Sequence, residues 1–481
     1  MLTGKARSAV IWSGLELLFR QGVGFVISIL MARMLGPEAF GTIALLSLFM
    51  GLSWVLVNVG FSSALIQRQN ITAVDESTVF WFNLFLGVLL AAGVAGLGPW
   101  LAAFYAQPVL VPLALVMAFN IVFSAASTVQ TALLARALDF RTPMRITMAS
   151  TLVSGALGLY MAWEGYGVWA LAAQSLSSNL VSMLLLWMLG GWRPVFCFSR
   201  QSFRRLAGFG GYLLASRLLN MFYRKGYTLL LGKYFGLQAL GYFNRAERIQ
   251  TLPTALVTGI AAKVSLPLFS RATDDIPHLR ETGRLAIRTM MLVTVPMVFG
   301  LAILAGPVVQ VLLGEQWMPA APILQVLCFS GLLLPLDVVN LNLIKALGRG
   351  KLFFRLEMAR ITLGILLLLV GSLAGVMGIA WAFVAQSVLA YFISSHYVGV
   401  FLDYGSAKQL KDCFAVILTG AVMAVAVYGL NRLLAPEGLA ELILIVCSGA
   451  LFYLLCNRLC GVAAFREALS FLPLGTRSNR V

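Results

Sequence analysis

Residues 32–41 read ARMLGPEAFG, and residues 232–241 read GKYFGLQALG. The second stretch repeats the first without a gap: Lys233 answers Arg33, Gly236 answers Gly36, Ala239 answers Ala39 and Gly241 answers Gly41. Each copy lies between two long apolar runs. A second pair of stretches matches in the same way, VWALAAQSL at 168–176 and AWAFVAQSV at 380–388. It aligns Trp169 with Trp381, Ala170 with Ala382, and Ala173-Gln174-Ser175 with Ala385-Gln386-Ser387. The offset grows from 200 to 212 positions between the two anchors, as loop insertions produce. The chain therefore reads as an internal duplication.

The medium in which it folds follows from composition. Of 481 residues, 60% are hydrophobic and 11% charged, against about 25% charged in ordinary soluble domains. The apolar runs reach about 20 residues, enough for a helix to cross a ~30 Å hydrocarbon core. Period-two alternation over about ten residues, the mark of a membrane β-barrel, does not appear. The expected fold is an all-α polytopic membrane protein with 14 transmembrane helices. They are placed at 9–33, 41–66, 78–104, 110–134, 144–163, 167–189, 207–232, 240–268, 285–313, 322–346, 354–374, 378–401, 412–431 and 439–458.

Charge placement supports that count. With the N-terminus inside, 24 basic residues fall in cytoplasmic segments and only Arg33, Lys233 and Arg432 on the opposite side, the asymmetry of the positive-inside rule. Both termini are then cytoplasmic. The repeat anchors fall in helices 1–2 and 7–8, then in helices 6 and 12. Six spans is an even number, so the copies share one orientation, related by an axis along the membrane normal. The expected organisation is an N-terminal lobe (1–197), an interfacial linker (198–206), a pseudo-symmetric C-terminal six-helix lobe (207–403), and two further helices with a cytoplasmic tail (404–481). The linker region, GWRPVFCFSRQSFRRLAGFG at 191–210, alternates phenylalanines with arginines and suits a helix lying at the cytoplasmic interface. Gly36-Pro37 is expected to end the first helix and Gly41 to let the second start tightly.

Several function classes are disfavoured. The net charge of +17 is spread over short loops, with no basic block or soluble domain for nucleic acid. The six cysteines show no metal spacing, and His278 and His396 lie far apart. GRGK at 348–351 lacks the first Gly and the final Ser/Thr of a phosphate-binding loop. No cofactor and no metal are expected.

Charges at membrane depth each cost about 2.5–3.5 kcal/mol and usually face a cavity or a partner. Helix 1 carries Glu16 and Arg20, spaced for an i,i+4 pair. Helix 7 carries Arg217, Arg224 and Lys225; the two arginines are seven apart, on one face, and no acid in that span offsets them. Helix 8 carries Arg245, Glu247, Arg248 and Lys263, the first three within snorkelling reach of the outer interface. Asp337 lies between Pro335 and Asn340, and helix 11 holds Glu357 and Arg360. These residues set eight cations against four acids, which points to a cationic cavity for an anion. Its candidate residues are Arg20, Arg217, Arg224, Lys225, Arg245 and Arg248. Glu16 and Asp337 are candidate charge partners or proton- or sodium-coupling groups. Prolines 253, 267, 296 and 335 are expected to interrupt helices 8, 9 and 10.

ILMARMLGPEAFGTIALL (29–46) resembles the first helical hairpin of Wzx-like polysaccharide flippases, with their R-x-LGP-x-x-FG signature. LLGKYFGLQALGYFNRAERI (230–249) is similar to the helix 7–8 element of the same group. The likeness covers nearly the whole chain and is strongest to the colanic acid and lipopolysaccharide type within the multidrug/oligosaccharidyl-lipid/polysaccharide exporter superfamily. It implies alternating access between two lobes in a bacterial inner membrane. The implied cargo is a sugar repeat unit on undecaprenyl diphosphate, destined for exopolysaccharide or lipopolysaccharide. A diphosphate is also an anion that a cavity of arginines would hold. Polymerase and chain-length proteins are candidate partners, and a proton or sodium gradient the candidate energy source. A drug/cation antiporter of the superfamily is the alternative, which the basic excess disfavours. An integral membrane polymerase or ligase would need a large external loop, and the chain is read as a transporter, not an enzyme.

Overall fold

In lipid a backbone must satisfy its own hydrogen bonds, and a helix does so within one segment. The computed structural model describes residues 4–58, 65, 71–137, 139–204, 218, 221, 225–270, 272–273, 275–434, 436 and 438–470, and the regular elements among them are helices. Two compact units divide the chain, Met1–Gly241 and Tyr242–Val481.

The first unit holds α1 (Gly4–Met34), α2 (Pro37–Asn58), α3 (Ala73–Tyr105), α4 (Leu110–Arg136), α5 (Arg141–Trp163) and α6 (Val168–Leu189), then helical residues 225–234. α3 opens with a capping box: the Thr72 hydroxyl accepts from the Asp75 amide, and the Asp75 carboxylate accepts from the Thr72 amide at 3.1 Å. Small residues let these helices close on one another, the usual device where lipid gives no hydrophobic drive. A Cβ on Gly87 would sit 2.6 Å from that of Ala125 across α3 and α4, and one on Gly155 would strike Ile27 of α1.

The second unit continues α7 (Gly236–Ser270), which crosses the boundary, with α8 (Ile276–Ile303), α9 (Ala305–Leu313), a 3₁₀ turn (Glu315–Trp317), α10 (Ala320–Ser330), α11 (Leu334–Ala346), α12 (Gly350–Leu373), α13 (Gly375–Leu402), α14 (Ser406–Leu434), α15 (Leu439–Leu459) and the short α16 (Ala463–Ser470). α14 and α15 are tied into this unit. Gln409 and Asn340 exchange amide hydrogen bonds at 2.9 and 3.2 Å between α14 and α11. Tyr453 of α15 donates to the Leu292 carbonyl of α8 at 3.0 Å.

Among the described residues, eleven stretches are long and apolar enough to cross a membrane. They coincide with eleven of the helices expected from sequence; the other three, at α1, 207–232 and α7, are richer in polar residues or fall partly outside the described residues. Three local expectations are corrected. Gly41 does not start a helix: α2 begins at Pro37, and Gly41 lies one turn inside it. Its need for no side chain comes from a close backbone approach, since a Cβ there would fall 1.8 Å from the Leu237 carbonyl oxygen. Residues 191–199 form no helix; the chain runs irregularly across the start of α3, and helix begins only at Arg200. The Val195 and Ser199 amides donate to Ser77 and Thr78, and the Val195 carbonyl accepts from Trp81, so side chains of α3 replace helical partners.

The prolines are the third. Helix α7 runs unbroken through Pro253 and Pro267, and α8 through Pro296. Of the four, only Pro335 stands at a break, in the first turn of α11 after the gap at 331–333. Proline removes the bond to the carbonyl four residues back; for Pro296 that carbonyl is Leu292, the one that Tyr453 fills.

Candidate functional site

The sequence-predicted residues fall on both units. Glu16, on α1, accepts a hydrogen bond from the Thr147 hydroxyl of α5 at 3.2 Å. Arg20 is one turn further along α1, and its side chain lies outside the described residues, as do Arg217 and Arg224 entirely. Lys225 begins the helical stretch 225–234, with its ammonium 5.7 Å from the Tyr227 ring centre.

In the second unit Arg245 is 5% exposed on α7, its guanidinium 5.6 Å from the ring centre of the fully buried Trp317. An aromatic face attracts a cation, the more so when water is excluded. Tyr242 fixes that ring: it meets Trp317 edge-on at 6.0 Å, and its hydroxyl donates to the Gln316 carbonyl at 3.2 Å. Arg248 is exposed, so of the two helix-8 arginines Arg245 sits in the protein and Arg248 at the surface. Asp337, 2% exposed on α11, accepts from Arg360 of α12 at 2.6 Å, and Arg360 also reaches Glu357 at 3.3 Å.

A second charged cluster escaped the sequence reading. Asp412 of α14 receives Arg284 through two bonds of 2.7 and 3.0 Å, Arg288 at 2.8 Å and the Tyr404 hydroxyl at 3.0 Å. Arg288 also holds Glu467 of α16 at 2.8 Å. Beside it opens a cavity of about 660 Å³, whose lining includes Arg280, Arg284, Asp403, Lys408 and Lys411. A hydrogen bond from Lys408, then its charge and that of Arg280, hold the exposed Asp403 carboxyl below the ordinary carboxylate range. Burial, then the Asp412 charge, push the Tyr404 phenol upward. The signal is present in the sequence as Arg280, Arg284 and Arg288, four apart and hence on one helix face, but their partner Asp412 lies on a helix far along the chain.

Among the described residues no group of three or more His, Cys, Asp or Glu side chains is placed to hold a metal ion. All six cysteines are free. What the geometry offers is fixed cationic and polar groups on long helices, which suits holding a ligand.

Comparison with known proteins agrees with that character. Residues 30–322 match the family described as polysaccharide biosynthesis protein. The succinoglycan biosynthesis transport protein ExoT of Rhizobium meliloti (strain 1021) is 28% identical over 344 residues, covering 71% of this chain and 69% of that protein. The lipopolysaccharide biosynthesis protein WzxC of Escherichia coli (strain K12) is 25% identical over 403 residues, 82% of this chain and 81% of that one. Among solved structures, the lipid II flippase MurJ in an inward closed conformation superposes with a TM-score of 0.76 at 14% identity, over 96% of this chain and 100% of that chain. That last likeness is one of fold.

Proposed function

The chain belongs to the polysaccharide biosynthesis protein family, and from that premise we propose that it is a flippase for lipid-linked oligosaccharides. It moves sugar repeat units carried on undecaprenyl diphosphate from the inner to the outer leaflet of a bacterial inner membrane. It does so by alternating access of two six-helix lobes, 1–197 and 207–403, joined by the linker 198–206. Residues 404–481 add two helices and a tail. Fourteen spans place both termini in the cytoplasm, with α1, 207–232 and α7 completing the eleven apolar crossings.

The observation that carries this reading is the family match over residues 30–322, supported by relatives whose names place them in succinoglycan transport and lipopolysaccharide biosynthesis. The physical side is the excess of basic residues within the spans. Cations at membrane depth are tolerated where an anion or water meets them, and arginine's planar fork fits phosphate oxygens bidentately. Arg20, Arg217, Arg224 and Lys225 hold the diphosphate, and Arg245 and Arg248 receive it nearer the outer face. Glu16 and Asp337 balance charge or couple the cycle to a proton or sodium gradient. Polymerase and chain-length proteins then take the exported units.

The test is polymer export in a strain that depends on this gene. Arg217→Ala and Arg224→Ala reduce export at unchanged protein level; normal export by well-expressed variants overturns the assignment.

A further inference from the structure

Helices α2, α4 and α6 of the first unit enclose a cavity of about 350 Å³, within the ~300–1,000 Å³ of typical ligand sites. Its lining contains no charged side chain; Ser47, Ser53, Asn120, Ser124, Ser175 and Asn179 supply its polar groups. A phosphate would meet no counterion there, and a drug cation no acid. An acyl chain would have to cover six polar side chains, the two asparagine amides among them, and offer them no hydrogen bond.

The two amides define what is missing. Asn179 Nδ2 donates to Asn120 Oδ1 at 2.7 Å and to the Ser175 carbonyl at 3.1 Å, so both its protons are spent. Its Oδ1 accepts no hydrogen bond from the described residues. Asn120, 7% exposed, turns its own NH₂ to the Met117 sulfur at 3.5 Å, a weak acceptor. If tying α4 to α6 were the whole purpose, the single 2.7 Å bond would serve. The pair instead holds out an open acceptor beside a poorly used donor, and a hydroxyl, which donates and accepts at once, completes both.

The remaining wall suits the other face of a sugar ring. Trp54, 52% exposed on α2, lines the same cavity and offers an apolar indole surface to pyranose C–H groups. A Cβ on Gly51 would lie 2.1 Å from the Met221 methyl, so the absent side chain leaves room for a flexible thioether beside the pocket.

We infer that this cavity is a saccharide subsite: it receives an uncharged, hydroxyl-bearing sugar unit of the cargo, through residues other than those assigned to the diphosphate. The inference rests on the flippase reading and adds to it a place where the glycan itself is recognised. Asn120 and Asn179 grip hydroxyls, Ser47 and Ser175 lie at hand for further ones, and Trp54 stacks.

The experiment measures binding of two lipids to the full-length purified protein by native mass spectrometry. One is undecaprenyl diphosphate without sugar; the other is the lipid-linked oligosaccharide extracted from a strain lacking this gene. The wild type prefers the sugar-bearing lipid by about tenfold or more. Asn179→Leu and Asn120→Leu abolish that preference and bind the sugarless lipid as the wild type does. Should either asparagine variant fail to fold, Ser175→Ala and Trp54→Leu are read in the same way, each expected to cut the preference severalfold. Variants that keep the full preference overturn the subsite. So does a wild type that binds both lipids equally, while leaving the flippase reading intact. A wild type that binds neither lipid overturns both.

Discussion

Gly41 and Gly241, equivalent positions of the repeated motif, pack against each other's segments within the first unit. A Cβ on Gly41 would lie 1.8 Å from the Leu237 carbonyl oxygen and 3.1 Å from the Gly241 nitrogen; one on Gly241 would lie 1.9 Å from the Pro37 carbonyl oxygen. Two copies of one motif thus bring the first turns of α2 and α7 to backbone contact. Backbone cannot swing aside as a side-chain tip does. Gly41→Ala and Gly241→Ala should each destabilise the protein by roughly 1–3 kcal/mol, read as lower unfolding temperatures in detergent. Gly36→Ala, where nothing lies within 4 Å, should change stability by less than about 0.5 kcal/mol.

Asp337 and Arg360 form an ion pair with side chains 3% and 17% exposed. Removing one partner leaves the other charge behind, at about 3–5 kcal/mol for a buried pair. Asp337→Ala should fall at the lower end, because Glu357 still reaches Arg360 at 3.3 Å. The double variant Asp337→Leu with Arg360→Met should recover much of the loss. A double-mutant cycle on unfolding free energies gives the coupling, and a coupling near zero would rule the pair out as a stabilising unit.

Asp139 stands before α5 and accepts from the Arg141 and Thr142 amides at 3.0 and 3.1 Å and from the Thr142 hydroxyl at 2.7 Å. Burial pushes its carboxyl upward, but the Thr142 and Arg141 bonds outweigh it and hold the carboxyl below its ordinary value. A depressed value means the folded protein binds this proton less readily than the unfolded chain. The stabilisation is therefore complete above the ordinary carboxylate pKa and is lost as pH falls through the depressed one. Asp139→Ala should cost about 1 kcal/mol at neutral pH. Asp139→Asn should keep most of the cap while flattening the acid side of a stability–pH curve.

How much of this was legible follows from what each signal depends on. Helix positions depend on runs of apolar side chains, a local property, so eleven expected spans overlap apolar helical stretches among the described residues. Their ends are less well placed: the span expected at 285–313 is the helix Ile276–Ile303, and that at 322–346 is broken at 331–333. Partners depend on helices far apart in sequence. Arg284 and Asp412 are separated by 128 positions, and no spacing rule joins them. The same holds for Asn120 and Asn179, whose polar character inside apolar runs was visible while their meeting was not. Gly41 misled for a related reason: a glycine near a helix start reads as turn chemistry, and only the approach of residues 237–241 reveals that the constraint is spatial. The linker 191–199 misled because its Phe/Arg alternation fits an interfacial helix, whereas Ser77, Thr78 and Trp81 of α3 bind its backbone instead.

Pro296 offers the sharpest test of how an interrupted hydrogen-bond ladder is repaired. Without an amide proton it cannot bond the Leu292 carbonyl, and α8 nevertheless continues to Ile303. Tyr453 of α15 is 3% exposed and donates to that carbonyl at 3.0 Å. Tyr453→Phe keeps the ring and deletes the donor, so a carbonyl in a water-poor environment loses its partner, at about 1–3 kcal/mol. Pro296→Ala restores the helical bond to Leu292, and in that background Tyr453→Phe should cost less, since the carbonyl keeps one donor. The coupling between the two substitutions should therefore be about 1 kcal/mol, measured by unfolding of the four purified proteins. Equal costs of Tyr453→Phe in both backgrounds would mean that the tyrosine packs against α8 without repairing it.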